Sequence, residues 1–253
     1  MGKRSFKRDN SGQVLIISAM LIASIFLSTA FYVIEVGKDA PIIDAGESNV
    51  FLGYSQSVRS TMISALANVT NGGETSILAA DLNELKTTIL SHSYQAQLTM
   101  DFNTLNSNAY QNGLRITWGA NGQGISSAYT TFTFVSFNPS ATSNLEYAVN
   151  VTSAVNLSGK YQQLTETIKQ VNLTITVVNE DKAALAQSFN FSYQSETDWI
   201  PVVLLTTTNF GNGTYTVSFN VENPQPTDPL GISMLCQDQR GVFVGANITC
   251  TNI

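Results

Sequence analysis

Three hydrophobic patterns follow one another along the chain. Residues 14–34 are mostly apolar and carry no charge. In residues 48–91, apolar side chains recur at spacings of three, four and seven, which predicts two helices separated by Asn71-Gly72-Gly73. From about Gln95 onward, apolar and polar residues alternate, and β-branched and aromatic residues are frequent. That period of two predicts β-strands through the rest of the chain.

Turn sequences divide the strands into two groups. Asn112-Gly113, Asn121-Gly122 and Asn138-Pro139 separate four strands, which we expect to form an antiparallel sheet on the two helices. Residues 157–160 (Leu-Ser-Gly-Lys) are typical of a linker. The short strands beyond it, spaced by 8–12 residues, predict an Ig-like β-sandwich with Trp199 in its core.

The apolar run Val14–Ile34 is long enough to cross a membrane. Its 21 residues would span about 31 Å as a helix, close to the hydrocarbon thickness of a bilayer. Lys3, Arg4, Lys7 and Arg8 precede it, which predicts an N-terminus inside and a body outside the cell. We therefore expect a single-pass protein of the cell membrane with the lipid bilayer as a partner.

A different reading of this run is a secretory signal peptide. Val14–Leu27 would be its apolar core, and Ser28-Thr29-Ala30 its cleavage site. Cleavage there would release a secreted β protein instead of leaving an anchor.

The start of the apolar run also carries a resemblance. The basic stretch ends in Ser11-Gly12, and the apolar helix begins at Gln13. This arrangement resembles archaeal type IV pilin-like proteins, in which a class III signal peptide is cut just before the apolar helix. The resemblance implies processing between Gly12 and Gln13, and packing of the helix with copies of itself or with other pilin-like subunits.

Small residues could mediate such packing. Ala19 and Ala23, like Ser24 and Ser28, follow the small-xxx-small spacing that lets two helix backbones approach closely in lipid. Small residues are also simply frequent in membrane helices, so this stripe is a candidate helix-packing face.

These patterns predict an α+β fold with four regions. It would have an N-terminal transmembrane helix, a helical stalk with a pilin-like antiparallel sheet, and then an Ig-like β-sandwich. The expected boundaries are a basic cytoplasmic leader at 1–12, a transmembrane helix at 13–36, two helices with a β head at 37–157, and the sandwich at 158–253.

The composition excludes some classes of partner. Only 12% of the residues are charged, about half the usual fraction for a globular domain. From Glu35 onward there are 8 basic and 17 acidic residues, a net charge of −9. Such a body repels nucleic acid, because nucleic-acid binding depends on neutralising phosphates.

The sequence contains none of the common catalytic or nucleotide-binding motifs. His92 is the only histidine, and no cluster of ligands predicts a metal or a cofactor. We therefore expect no enzyme activity. Surface recognition of sugars by aromatic residues is an alternative to burial for a group at strand spacing: Trp118, Tyr129, Phe132, Phe134 and Phe137.

The two cysteines, Cys236 and Cys250, lie close together in sequence. They could form a disulfide across a hairpin, which would require an oxidising compartment. Two free buried thiols are the alternative.

Seven N-glycosylation sequons lie beyond the apolar run. If the host glycosylates its surface proteins, we expect several of the acceptors to be modified: Asn68, Asn150, Asn156, Asn172, Asn190, Asn212 and Asn247.

Together, these features predict a membrane-anchored protein that works outside the cytoplasm in a structural or adhesive role. It could be a pilin-like subunit packing through its N-terminal helix. Alternatively, it could be a plain tether carrying a ligand-binding or glycan-binding β-sandwich, or the secreted β protein described above.

Overall fold

The computed structural model describes residues 45–92, 97–119, 121–138, 141–196, 198–222 and 229–253. The predicted leader and transmembrane helix lie outside these residues. So do the proposed processing site, Gly12 and Gln13, and the proposed helix-packing residues: Ala19, Ala23, Ser24 and Ser28. Within the described part of the chain, neither helix is long and apolar enough to cross a bilayer.

Two helices precede the strands. α1 spans Ala45–Thr70 and α2 spans Ile77–His92. α1 ends where Gly72 adopts a φ of 95°, a left-handed conformation that glycine tolerates well and that commonly terminates helices.

Tyr54–Ile253 forms one compact unit with twelve strands in its described residues. They are β1 (Gln97–Thr104), β2 (Leu114–Trp118), β3 (Gln123–Asn138), β4 (Ala141–Gln163), β5 (Ile168–Asn179), β6 (Lys182–Ala183), β7 (Ala186–Ser195), β8 (Asp198–Pro201), β9 (Thr206–Asn209), β10 (Thr214–Glu222), β11 (Leu230–Asp238) and β12 (Phe243–Asn252). The main hydrogen-bonded path runs β8-β7-β11-β12-β4-β5-β10-β9, and β3 branches from β4 to pair with β1 and β2.

The 23-residue strand β4 joins all parts of this path. Its first part, Ala141–Asn156, pairs with β3, and its second part, Ser153–Gln163, pairs with β5. Near its end, Lys160 and Tyr161 pair with β12 in the parallel sense. β4 therefore joins one part of the unit, β1–β3, to the other part, β5–β12.

The path folds into two layers whose apolar faces meet. On β5 and β10, buried and more accessible residues alternate, as expected for strands with one face in a core. Across the layers, the ring of Phe191 on β7 lies 5.9 Å from that of Phe219 on β10. The ring of Phe189 lies 4.9 Å from that of Tyr215. The core of this part of the unit thus lies between the layer that contains β5 and β10 and the layer that contains β7 and β11.

α1 packs on the core face of β3, and α2 packs against β1. Val58, Met62 and Leu66 of α1 are buried, and their four-residue spacing places them on one side of the helix. The ring of Tyr54 stacks on Phe134 of β3, with centroids 5.8 Å apart. This stripe is therefore buried against the sheet.

The predicted α+β fold was wrong. The described residues are mostly strand, and the helices lie on a sheet instead of forming a stalk, which conflicts with the pilin-like plan. Residues 157–160, predicted as a linker before a separate Ig-like β-sandwich, lie inside β4. Their small and polar side chains fit a strand because β4 alternates, with Leu157 and Tyr161 buried while Ser158 and Lys160 are exposed.

A buried carboxylate fixes the turn between β11 and β12. Asp238 is fully buried, and its Oδ1 accepts the backbone N–H groups of Arg240 (2.8 Å) and Val242 (3.0 Å). The Arg240 Nε donates to Asp238 Oδ2 at 2.9 Å. A carboxylate without water needs such partners, because an unpaired buried charge is strongly destabilising.

Arg240 also ties this turn to the other layer. Its Nη1 lies 2.7 Å from Glu180 Oε1, and its Nη2 donates to the carbonyl of Thr152 on β4 at 2.9 Å. Glu180 pairs in addition with Arg59 of α1 at 2.7 Å. Burial alone would raise the pKa of Glu180, but the hydrogen bonds from Arg240 and Thr152, with the charges of both arginines, hold it below the ordinary value of 4.5.

We predict that Arg240→Ala destabilises the protein by roughly 3 kcal/mol, because it leaves the Asp238 carboxylate buried without its cation. Arg59→Ala is the matched control. Its side chain is 44% exposed against 18% for Arg240, so its loss should cost less than about 1 kcal/mol. Urea denaturation of the two variants measures the difference, and equal losses would contradict this role for Arg240.

Candidate functional site

All seven sequon asparagines are exposed. They are distributed over α1, β4, β5, β7, β12 and the turn before β10: Asn68, Asn150, Asn156, Asn172, Asn190, Asn212 and Asn247. Two side chains are engaged locally. The Oδ1 of Asn150 accepts from Ser127 at 2.9 Å, and the Oδ1 of Asn212 accepts the Thr214 N–H at 3.1 Å.

The two cysteines do not form the predicted disulfide. Both thiols are free and buried. In the β11–β12 pairing, Cys236 lies opposite Val244 and Cys250 lies opposite Leu230. That offset of six residues separates them by roughly 20 Å along the hairpin, whereas a disulfide needs Cα atoms within about 7 Å.

We predict that neither thiol reacts with a maleimide in the native protein. Burial raises the pKa of Cys236 to about 12, helped by the charge of Asp238, and burial raises that of Cys250 to about 11. The reactive thiolate is therefore scarce. Thiol counting in denaturant without reductant should find two reactive groups per chain, whereas none there or rapid native labelling would contradict the prediction.

Of the five aromatic residues considered for surface recognition, two belong to the interior, and Tyr129 is half-buried. Phe132 and Phe134 are fully buried, and the side chain of Phe137 lies outside the described residues. Trp118 is partly exposed, but its Nε1 donates to Ser126 at 3.1 Å, and its ring lies against Gly245. These contacts give Trp118 a structural position.

Trp199 is exposed, contrary to its predicted burial. It was predicted in a sandwich core, yet 47% of the residue is accessible. β8 is the last strand on one side of the path, so Trp199 has a neighbouring strand on one side only. The Gly and Ser residues near it on adjacent strands show no periodic pattern from which an exposed surface could have been predicted.

Trp199 stands at one end of a row that crosses four strands. It pairs with Gln194 of β7, and Gln194 lies beside Gly231 of β11, because the preceding Tyr193 pairs with Ile232. Gly231 in turn pairs with Thr249 of β12. Three interstrand steps make this row roughly 14 Å long.

Gly231 lets the Gln194 side chain lie close over the middle of the row. A Cβ atom at this position would lie 2.7 Å from Gln194 Oε1. The Gln194 amide nitrogen donates to the carbonyl of Glu196 at 3.4 Å, so its oxygen is left on the side of Gly231. The row lines a cleft of about 520 Å³, which we call the Trp199 cleft.

The opposite wall of the Trp199 cleft is held by a glycine loop. Asn247 of β12 donates its backbone N–H to the Gly119 carbonyl at 3.0 Å, and its own carbonyl accepts from Gly122 at 2.9 Å. Leu157 of β4 donates to the Gly122 carbonyl at 2.6 Å. Gly122 has a φ of 74° and no room for a side chain, since a Cβ would collide with the Leu157 carbonyl oxygen.

The lining of the Trp199 cleft is uncharged. It combines the apolar side chains of Leu157, Trp199 and Ile248 with amides and hydroxyls: Asn121, Ser158, Gln194, Asn247 and Thr249. Amides and hydroxyls both donate and accept hydrogen bonds. Such a site suits a neutral ligand with many hydroxyl groups better than an ion.

Other features offer less chemistry. Among the described residues, no three acidic, His or Cys side chains gather in a way that could hold a metal ion. The helical backbone of His92 is described, but its side chain is not. A group that we call the Arg240 cluster comprises Arg59, Glu180, Asp238 and Arg240, and its two acids already pair with its two arginines.

A second exposed surface follows Trp199 along the chain. Among the described residues, fourteen large apolar side chains are exposed, and six of them lie in residues 199–210, including Val203, Leu204 and Phe210. Phe210 is 58% accessible and is absent from the lining of the Trp199 cleft. It is therefore a useful comparison for the role of Trp199.

No protein-family model matches this chain, and no curated protein matches it.

Proposed function

We propose that the protein is a single-pass surface protein whose β body works outside the cell in an adhesive role. The N-terminus would lie inside, residues 13–36 would remain in the bilayer, and the body would present a binding surface. In this proposal the chain is a tether that carries a recognition module, and it has no enzymatic role.

The observation that carries the proposal is the chemistry of the outer face of the layer that contains β5 and β10. On β5 and β10, the more accessible positions that alternate with the buried ones include Asn172, Thr174, Thr216 and Ser218. Neighbouring strands pair Thr174 with Thr216, and Asn172 with Ser218. Hydroxyls and amides thus replace charges over much of this face, which is common in secreted and cell-surface β proteins.

The exposed sequons give additional support. N-glycans are attached to surface asparagines of exported proteins, and none of the seven acceptors is buried. The net charge of −9 beyond residue 34 also favours solubility in an ionic exterior.

The packing role remains a separate proposal that rests on the sequence alone. In it, Ala19, Ala23, Ser24 and Ser28 would contact copies of the same helix in a filament or complex. The secreted form would require cleavage after Ala30. The filament-packing form and the secreted form would each retain a different part of residues 1–36 from the tether.

We predict that an impermeant amine reagent labels Lys160 and Lys182, which are exposed, in intact cells. Lys3 and Lys7 should stay unlabelled until lysis, because the basic leader would lie inside. Peptide mass spectrometry identifies the labelled lysines of the body and of the leader. It also identifies the mature N-terminus, which would be Gln13 if a leader peptidase acts.

Lys169 is an internal control, because it is buried and should label poorly under both conditions. Labelling of the body only after lysis would contradict the proposal. So would recovery from the medium of a chain beginning at Phe31.

A further inference from the structure

We propose that the Trp199 cleft binds a neutral glycan chain, with the indole of Trp199 as its stacking platform. This inference rests on the proposed adhesive function and names its ligand class. The site comprises the row Trp199–Gln194–Gly231–Thr249, together with Asn247 and Ser158 beside it.

The exposed indole of Trp199 fits the apolar face of a sugar. The C–H face of a pyranose ring is apolar and packs against an indole face, while its hydroxyls point sideways. Trp199 is 47% accessible and can offer such a face, and the amide of Gln194, held over Gly231, lies beside it. An indole that is amphipathic in this way is well suited to a wet recognition surface.

The hydrogen-bonding groups of the cleft also match sugar hydroxyls. The amide oxygen of Gln194 lies over Gly231, and Thr249 lies on the opposite side of Gly231 in the same row. The next row carries Ser192, Ser233 and Asn247, because Ser233 pairs with both neighbours. Sugar hydroxyls can donate to and accept from all of these groups.

The charge and the size of the cleft also favour a neutral oligosaccharide. The residues that line the Trp199 cleft are uncharged, so a carboxylated or phosphorylated ligand would lose solvation without gaining an ion pair. A row of roughly 14 Å is longer than a single sugar ring. The volume of the Trp199 cleft, about 520 Å³, falls within the range of small-molecule sites.

Rigidity of the wall also favours binding. Both backbone groups of Asn247 are fixed by Gly119 and Gly122, so its side chain is presented from a pre-organised strand. Binding then pays less to order the site.

The test is calorimetric titration of the purified full-length protein, made in a host without N-glycosylation. The probes are maltotriose, cellotriose, mannotriose and chitotriose, with trigalacturonate as the anionic comparison. We expect at least one neutral trisaccharide to bind at millimolar concentration or below, and trigalacturonate to bind more weakly. Absence of binding by all four neutral probes would overturn the proposal.

Variants locate the binding site. Trp199→Ala should weaken binding by about tenfold or more, whereas Phe210→Ala, which removes an exposed aromatic outside the cleft, should leave it unchanged. Gly231→Ala tests the same site with Trp199 in place. It should weaken binding several-fold by displacing Gln194, and it decides the matter if Trp199→Ala fails to fold. Equal binding by wild type and the folded cleft variants would overturn the proposal.

The glycan could come from another molecule or from Asn247 of the same chain. Protein from its native host distinguishes the two sources. If a glycan on Asn247 fills the cleft, the wild type from the native host will not bind the neutral trisaccharide, whereas the unglycosylated wild type will. If the ligand comes from outside, both forms will bind. Failure of binding in every form would leave the lysine-labelling result, and hence the surface location, untouched.

Discussion

The fold depends on one strand that two halves of the protein share. β4 pairs with β3 over its first part and with β5 over its second, and Ser153–Asn156 are paired on both sides. Beyond the end of β3, the same edge of β4 accepts β12. Because paired strands are held at a fixed spacing, β4 fixes the position of β3, with β1 and β2, relative to β5 and β10. The Arg240 cluster then fastens the β11–β12 turn to Thr152, while the Gly122 loop fastens β12 to Leu157. The Trp199 cleft lies on the layer that these contacts hold in place.

Local structure in this chain could be predicted from its sequence, but the way the pieces combine could not. Both helices and the switch to period two near residue 95 are present, because these patterns reflect which face of an element is buried. The error came at Ser158-Gly159-Lys160, whose composition is typical of a linker. Gly159 is tolerated within β4 because its missing side chain makes room for Leu173 and Cys250. That reason depends on residues distant in sequence, which no local pattern contains.

The site was harder to predict than the fold. Aromatic residues at strand spacing were correctly suspected of being core at Phe132 and Phe134, yet Trp199 was assigned to a core as well. Whether such a residue is buried depends on its position in the sheet, and an edge strand can only be recognised once the strand order is known. The disulfide prediction was wrong for a similar reason. Thirteen intervening residues allow a disulfide, but the register of β11 and β12 forbids it. Exposure of the sequon asparagines needed no such information, because each sits at a polar position of its element.

Hydrogen exchange across residues 153–163 tests the shared strand most directly. If β4 is continuous, a peptide from this segment exchanges as slowly as one from the buried strand β5, Val171–Val177, because both open only when the unit unfolds. The turn between β4 and β5, residues 164–167, serves as the rapidly exchanging reference. Fast exchange at Ser158–Lys160, with slow exchange on either side, would mean that a linker separates two domains and would contradict this account.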